Sequence, residues 1–242
     1  VAGVAARPIG TTRGRFFVIT GRATYSAAMN FVSLLEDRTA AIFVGEPAGG
    51  APNHYGDAVP IALPSSGLVL RVSTLNWNIG VGPRDIREVH EPDLPVVPRF
   101  ADLAAGRDAA MAAITAYRDG DLLSDRLLAR YRSGGVPAAT ALLDSTRAAA
   151  RLEGTIWESQ VQQVIRFANR VIGVAQNRDD IFAAFAMLTE RYPDSHVAWA
   201  ERARVHGFGN DWPAARSAYR RALELRPASA PLKRWLAMAE RR

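Results

Sequence analysis

Thr24-Tyr25-Ser26 stands between an apolar run, Phe16 to Thr20, and a stretch from Ser26 to Asp37 with helical spacing. A serine hydroxyl at that junction sits at a helix N-terminus, where free backbone N–H groups and the helix dipole favour a developing anion. Two roles fit this placement. Ser26 or Thr24 can cap the helix, or Ser26 can be the nucleophile of an acyl transfer. Beyond the glycine pair Gly49-Gly50 come Asn53, His54 and Asp57. An imidazole titrates near neutral pH, so His54 is a candidate general base, with Asp57 or Glu46 as the carboxylate that orients its ring. Asn53 can polarise a carbonyl or hold a water. Asp85 and Glu88 are further candidates for an orienting carboxylate, and His90 is an alternative imidazole. Local hydrogen bonding for His54, and ordinary solvated-loop roles for Asp85, Glu88 and His90, are the competing readings.

Other chemistries are disfavoured by what the chain holds. It has no cysteine, which removes disulfides, thiolate metal sites and cysteine nucleophiles. Of 30 basic residues only Lys233 is lysine, so a lysine base has one candidate, near the C-terminus. His196 and His206 do not share one helical face, as a helical histidine metal pair requires, and no metal is expected. Gly45 to Gly50 lacks the lysine and spacing of a phosphate-binding loop, so no nucleotide or other cofactor is expected.

The elements that must position these residues follow from periodicity and punctuation. Phe16 to Thr20 and Ala40 to Val44 read as buried strands flanking the Ser26 to Asp37 helix, a strand–helix–strand unit with a parallel pair. Gly45 to Pro52 reads as a loop able to approach a ligand closely. Val59 to Leu63 and Leu68 to Trp77 read as strands joined through Pro64-Ser65-Ser66-Gly67. Val81 to Pro98, with four prolines, reads as an extended, irregular connection.

After Phe100 alanine, leucine and arginine dominate at helical spacing, with breaks at Gly134-Gly135-Val136-Pro137 and Arg178-Asp179-Asp180. Pairs 34 residues apart match: Pro193 with Pro227, Phe185 with Tyr219, Ala184 with Ala218, and Glu190 with Glu224. That is the period of a tetratricopeptide helix pair, and Trp199, Ala203, Ala215, Tyr219 and Ala222 fit its packing positions. Trp157 to Ala175 is expected to supply a preceding repeat helix, and Trp235 to lie on a terminal capping helix. A plain helical bundle is the alternative.

Hydrophobic residues at 48% and charged residues at 22% describe a chain that folds. The net charge of +6 is uneven: residues 1–100 carry 9 basic and 8 acidic side chains, net +1, and residues 101–242 carry 21 and 16, net +5. The arginines are interspersed with acids along helices, which reads as solvated faces and not as a nucleic-acid stripe. No apolar run reaches the roughly 18–20 residues of a transmembrane helix.

Residues 15–117 resemble the C-terminal half of the catalytic domain of tail-specific, or C-terminal processing, serine peptidases. The resemblance is carried by Phe16 to Thr20, Thr24-Tyr25-Ser26-Ala27-Ala28 with Asn30-Phe31, Phe43-Val44-Gly45-Glu46, and Gly49-Gly50-Ala51-Pro52-Asn53-His54-Tyr55-Gly56-Asp57. Leu68 to Val72, Glu91-Pro92-Asp93 and Arg107-Asp108 complete it. It implies that Ser26 is the nucleophile, that the Ala27 N–H contributes to the oxyanion hole, and that the fold is crotonase-like (ClpP-like) α/β. The family's usual lysine base follows the second glycine of the loop, where this sequence has Ala51. A branch with a Ser/His/Glu system takes its histidine from the half of the domain before the nucleophile, and none lies among residues 1–25.

The expected organisation is therefore a partial peptidase-like α/β module at 1–104, a helical connection at 105–154, and an all-α tetratricopeptide-like domain at 155–242. The expected function is peptide-bond hydrolysis through an acyl-enzyme, by a fragment or atypical member with a non-lysine base. Gly49, Gly50, Asn53, Asp85 and Glu88 are substrate-binding or orienting residues in this reading. The alternative is a non-catalytic module that binds a peptide or protein on its helical repeats. The resemblance also suggests an exported or periplasmic setting.

Overall fold

Phe17–Thr20 forms β1 and Ile42–Gly45 forms β2, paired in parallel with Phe17 opposite Ile42 and Thr20 opposite Gly45. The computed structural model describes residues 1–80, 84–152 and 160–242. It divides into two units, Val1–Ala116 and Tyr117–Arg242. The first is mixed α/β and the second is helical.

In the first unit two short turns of helix, α1 (Ala2–Ala5) and α2 (Pro8–Thr11), precede β1. Helix α3 (Ala27–Arg38) connects β1 to β2 and turns Met29, Val32 and Leu35 inward. This spacing places all three on one helical face. They pack with Phe43 and Ala48, with Phe16, Val18 and Ala41 at the margin. Each fully buried aliphatic or aromatic side chain contributes about 1.5–3 kcal/mol. Every residue of β2 is buried, consistent with its place between two neighbours in the sheet.

The second neighbour is β5, Leu94–Pro95, parallel to β2 with Val44 opposite Leu94. The sequence reads this part of the chain as wholly irregular. The strand forms because Asp93 is buried and its Oδ2 accepts the Phe43 N–H at 3.0 Å, a tertiary bond that lays the segment along β2. Val81 and Pro83 of the expected connection lie outside the described residues.

Between β2 and β5 the chain forms an antiparallel hairpin, β3 (Asn53–Ala62) with β4 (Val69–Asn78). Strand β3 begins six residues before the expected Val59, so Asn53, His54 and Asp57 lie on a strand and not in the loop. Helices α4 (Phe100–Ala104) and α5 (Ala109–Ala116) end the unit.

In the second unit α6 (Leu123–Leu152) is interrupted at Gly134-Gly135. Gly135 has φ 68° and ψ −167°, a conformation available to glycine and not to side-chain-bearing residues. Then follow α7 (Val161–Ile172), α8 (Arg178–Arg191), α9 (His196–Phe208), α10 (Trp212–Leu225) and α11 (Ala230–Glu240), each packed on the next. Trp157 lies outside the described residues, and so does the expected boundary at 154–155. The core is built from Leu127, Leu143, Val164, Phe167, Phe185 and Leu188.

Helices α8 and α10 begin 34 residues apart, as do α9 and α11. The caps repeat with them. Asn177 and Asp211, then Ser195 and Ser229, each accept the N–H three residues ahead, a bond that stabilises a helix start by about 1 kcal/mol. No helix among the described residues is long and apolar enough to cross a membrane.

Candidate functional site

Strand β1 leads into a tight turn in which Thr24 N–H donates to Gly21 O at 2.8 Å and Gly21 N–H donates to Thr24 Oγ1 at 3.1 Å. The Thr24 hydroxyl is thereby committed to the turn and does not cap α3. Ser26 does not cap it either: its side chain accepts no N–H from the helix. The capping reading of these two residues is corrected on that ground.

What Ser26 does have is an unusual backbone. Its φ of 55° and ψ of −126° mirror the polyproline conformation, at the point where strand-side chain becomes helix. A Cβ is poorly tolerated there, and the position ordinarily belongs to glycine. Such strain persists only when surrounding structure enforces it and concentrates at functional sites. A sharp strand-to-helix turn of this sort lifts a serine Oγ clear of the backbone. Ser26 is exposed, and its Oγ has no hydrogen-bond partner among the described residues. Its carbonyl accepts the first helical bond, from Asn30 N–H at 3.0 Å. With no side-chain cap, the first-turn N–H groups, beginning at Ala27, are directed out of the helix end that Ser26 occupies.

The loop after β2 is held against this turn. Gly49 N–H donates to Thr24 O at 3.0 Å. A Cβ on Gly49 would stand 1.9 Å from Arg22 O, so only glycine permits the approach. A Cβ on Gly50 would lie 3.6 Å from Tyr25 Cβ. The fold thus brings Ser26, Ala27, Gly49 and Gly50 into one place.

The expected orienting groups go elsewhere. Glu46 N–H donates to Thr20 O at 3.1 Å, its carbonyl accepts the Thr20 hydroxyl at 2.9 Å, and its carboxylate pairs with Arg22 at 3.3 Å. His54 has Nδ1 3.2 Å from Ala51 O, and its Nε2 is buried without a hydrogen-bond partner. With the proton on Nδ1 donated to Ala51, Nε2 carries the lone pair a general base needs. Asp57 has φ 52°, which breaks the strand's alternation at that position, and it has no partner in the ladder. Its Oδ2 accepts the Trp77 indole N–H at 2.8 Å. Asp57 therefore does not orient His54, and the ring is held by the Ala51 backbone carbonyl instead.

Asn53 Nδ2 donates to Asp85 O at 2.8 Å, tying β3 to the segment before β5. The Asp85 carboxylate accepts three bonds from Arg87, through the backbone N–H, Nε and Nη2, at 2.6–3.1 Å. Arg87 also grips Glu36 of α3 bidentately at 2.9 and 2.6 Å. Burial alone would lower the Arg87 pKa, but bonds and charge from Asp85 and Glu36 outweigh it and hold the guanidinium above its ordinary value. His90 is fully buried, edge-on to Phe43 at 4.5 Å between ring centroids, with Nε2 3.6 Å from Glu36 Oε2. Asp85 and His90 thus belong to a buried ionic cluster that anchors α3, while Glu88 stands exposed beside it. Sequence reasoning missed Glu36 and Arg87, whose partners lie 51 residues apart.

At the carboxyl ends of β1 and β2 a crevice of about 460 Å³ opens, lined by Ile19, Thr20, Gly45, Glu46 and Leu103, with Arg107 on its rim. Crevices at this end of parallel strands are the usual ligand sites of α/β sheets. Arg107 pairs there with Asp102 at 2.9 Å. Among the described residues no group of three or more His, Asp or Glu side chains is placed to hold a metal ion. No protein-family model matches the chain, and no curated protein matches it.

Proposed function

We propose that the α/β unit is a serine-type peptidase module similar to the tail-specific peptidases, with Ser26 as its nucleophile. The observation that carries this reading is the strained backbone of an exposed, non-capping serine at an uncapped helix N-terminus. Ser26 Oγ attacks the peptide carbonyl and His54 Nε2 takes its proton. The Ala27 N–H stabilises the oxyanion. Collapse of the tetrahedral intermediate breaks the C–N bond, and the proton returns from His54 to the leaving amine. Water then hydrolyses the Ser26 ester with His54 again as base. His54 is not hydrogen-bonded to Ser26, and the proton transfer requires its Nε2 within hydrogen-bond reach of Oγ, directly or through one water. The crevice at the ends of β1 and β2 gives room for a substrate side chain.

A second reading, a non-catalytic peptide-binding protein with tetratricopeptide-like repeats, is favoured by a specific feature of the helical unit. A groove of about 500 Å³ between α6 and α8 is lined by Pro137, Ala141, Ala183 and Ala186, with Asp144 and Glu190 at its margin. A fluorophosphonate probe separates the readings. Labelling that maps to Ser26 and vanishes in Ser26→Ala supports the hydrolase. No labelling of the wild type, or labelling unchanged in Ser26→Ala, refutes it. In His54→Ala the labelling rate is expected to fall by about 10²–10⁴-fold.

A further inference from the structure

The net charge of +6 resides in α10 and α11. Residues 1–211 hold 22 basic and 22 acidic side chains, whereas residues 212–242 hold 8 and 2. Both of those acids are already paired, Glu240 with Arg220 at 3.1 Å and Glu224 with Arg221 at 3.0 Å. Lys233, Arg234, Arg241 and Arg242 are exposed and make no ion pair among the described residues. Helix stability does not account for the first two. They lie near the start of α11, at the positive end of its dipole, where a cation is unfavourable. None of the four has an acidic residue three or four positions away.

At about 100° per residue, Lys233, Ala237, Arg241, Arg234 and Met238 fall within one arc of about 140°. Leu232 and Ala239, on the opposite side of the helix, are buried. Met238 is 65% exposed. Trp235, half-buried beside Tyr219 at 6.1 Å between ring centroids, borders the arc. The exposed face of α11 is therefore a cluster of unpaired cations around small and apolar side chains.

We propose that this face binds the surface of an anionic phospholipid bilayer. Headgroup phosphates neutralise the cations, and Met238 reaches the boundary with the acyl chains. The side chains between the cations favour lipid over other polyanions. Nucleic-acid contacts draw on Ser, Thr, Asn and Gln beside the cations, and single strands stack on exposed aromatic rings. Helix α11 contains none of those four residue types, and its one aromatic ring is half-buried. Peptides are held in grooves or along strand edges, whereas this surface is the convex side of a helix. A convex basic face with an exposed methionine suits a broad plane of negative charge over an apolar layer.

The test is co-sedimentation of the full chain with phosphatidylcholine vesicles containing about 30 mol% phosphatidylglycerol at low salt. Binding is expected there, and neither to pure phosphatidylcholine nor at high salt. Each cation at such a surface is worth about fivefold in partitioning, so Arg234→Gln combined with Arg241→Gln should weaken binding about thirtyfold. Arg126→Gln with Arg130→Gln removes the same charge from exposed positions of α6 and should change it less than about twofold. Thermal melting followed by circular dichroism checks that both variants fold. A wild type that ignores the anionic vesicles at low salt overturns the proposal. Equal loss in the two double variants also overturns it, because net charge alone would then be responsible. Retention by duplex DNA or polyglutamate without binding to vesicles refutes it in favour of that polyanion.

Discussion

Replacing Ser26 by glycine is expected to stabilise the α/β unit while abolishing its chemistry. At φ 55° and ψ −126° the serine Cβ is strained, and residues held in such regions cost about 1–3 kcal/mol. Glycine removes that cost but adds about 0.4–1 kcal/mol of freedom to the unfolded chain. The net gain should be about 0.5–2 kcal/mol, because Ser26 makes no capping bond that would be lost. For a unit of this size that is a rise of about 2–10 °C in Tm. Ser26→Ala is the essential control, since it also deletes Oγ but keeps Cβ and with it the strain. Its stability should lie within about 0.5 kcal/mol of the wild type. Scanning calorimetry of the full chain measures the difference, and hydrogen exchange of the α3 amides assigns the transition to this unit. A Ser26→Gly variant no more stable than Ser26→Ala would show that the backbone is not strained, and would remove the main support for Ser26 as a presented nucleophile.

Arg87→Ala leaves the Glu36 and Asp85 carboxylates without their shared partner, with Asp85 almost buried, and should destabilise the unit by about 3–5 kcal/mol in urea titration. Gly49→Ala drives a Cβ into Arg22 O; fluorophosphonate labelling of Ser26 should fall sharply as the loop is forced off the turn. Gly135→Ala imposes a Cβ at φ 68° and ψ −167° and should cost the helical unit about 1–3 kcal/mol by calorimetry. The Asp144 carboxyl is held below its ordinary value by bonds from Arg191. Its contribution is present above the unfolded pKa and is lost as pH falls through the lowered folded value. Asp144→Asn should therefore be less stable than wild type at neutral pH and converge with it in acid, with the gap narrowed by salt because the pair is largely exposed.

Local pattern carried much of the architecture. The apolar run before Thr20, the helix after Ser26 and the breaks at Gly134-Gly135 and Arg178 all lie close to where periodicity and punctuation place them. The start of β3 was harder to read. Asn53 to Gly56 is polar and glycine-bearing, so it has the composition of a loop, and it becomes strand only because Asn53 to Gly56 find Asn78 to Leu75 as partners. The same holds for β5, where a proline-rich segment is recruited by the Asp93 bond to Phe43.

Composition and residue order fix which chemistry is available: one serine at a strand–helix junction, few histidines, no thiol, and no lysine near the junction. These are properties of composition and order, and folding cannot add to them. Tertiary structure decided which groups meet. It gave Thr24 to Gly21, Asp57 to Trp77, and Asp85 with Glu36 to Arg87, leaving the Ser26 hydroxyl without a cap to make. Those assignments rest on hydrogen bonds between residues up to 51 positions apart and on a backbone angle held by its surroundings. Residue type and spacing do not encode either until the chain has closed on itself.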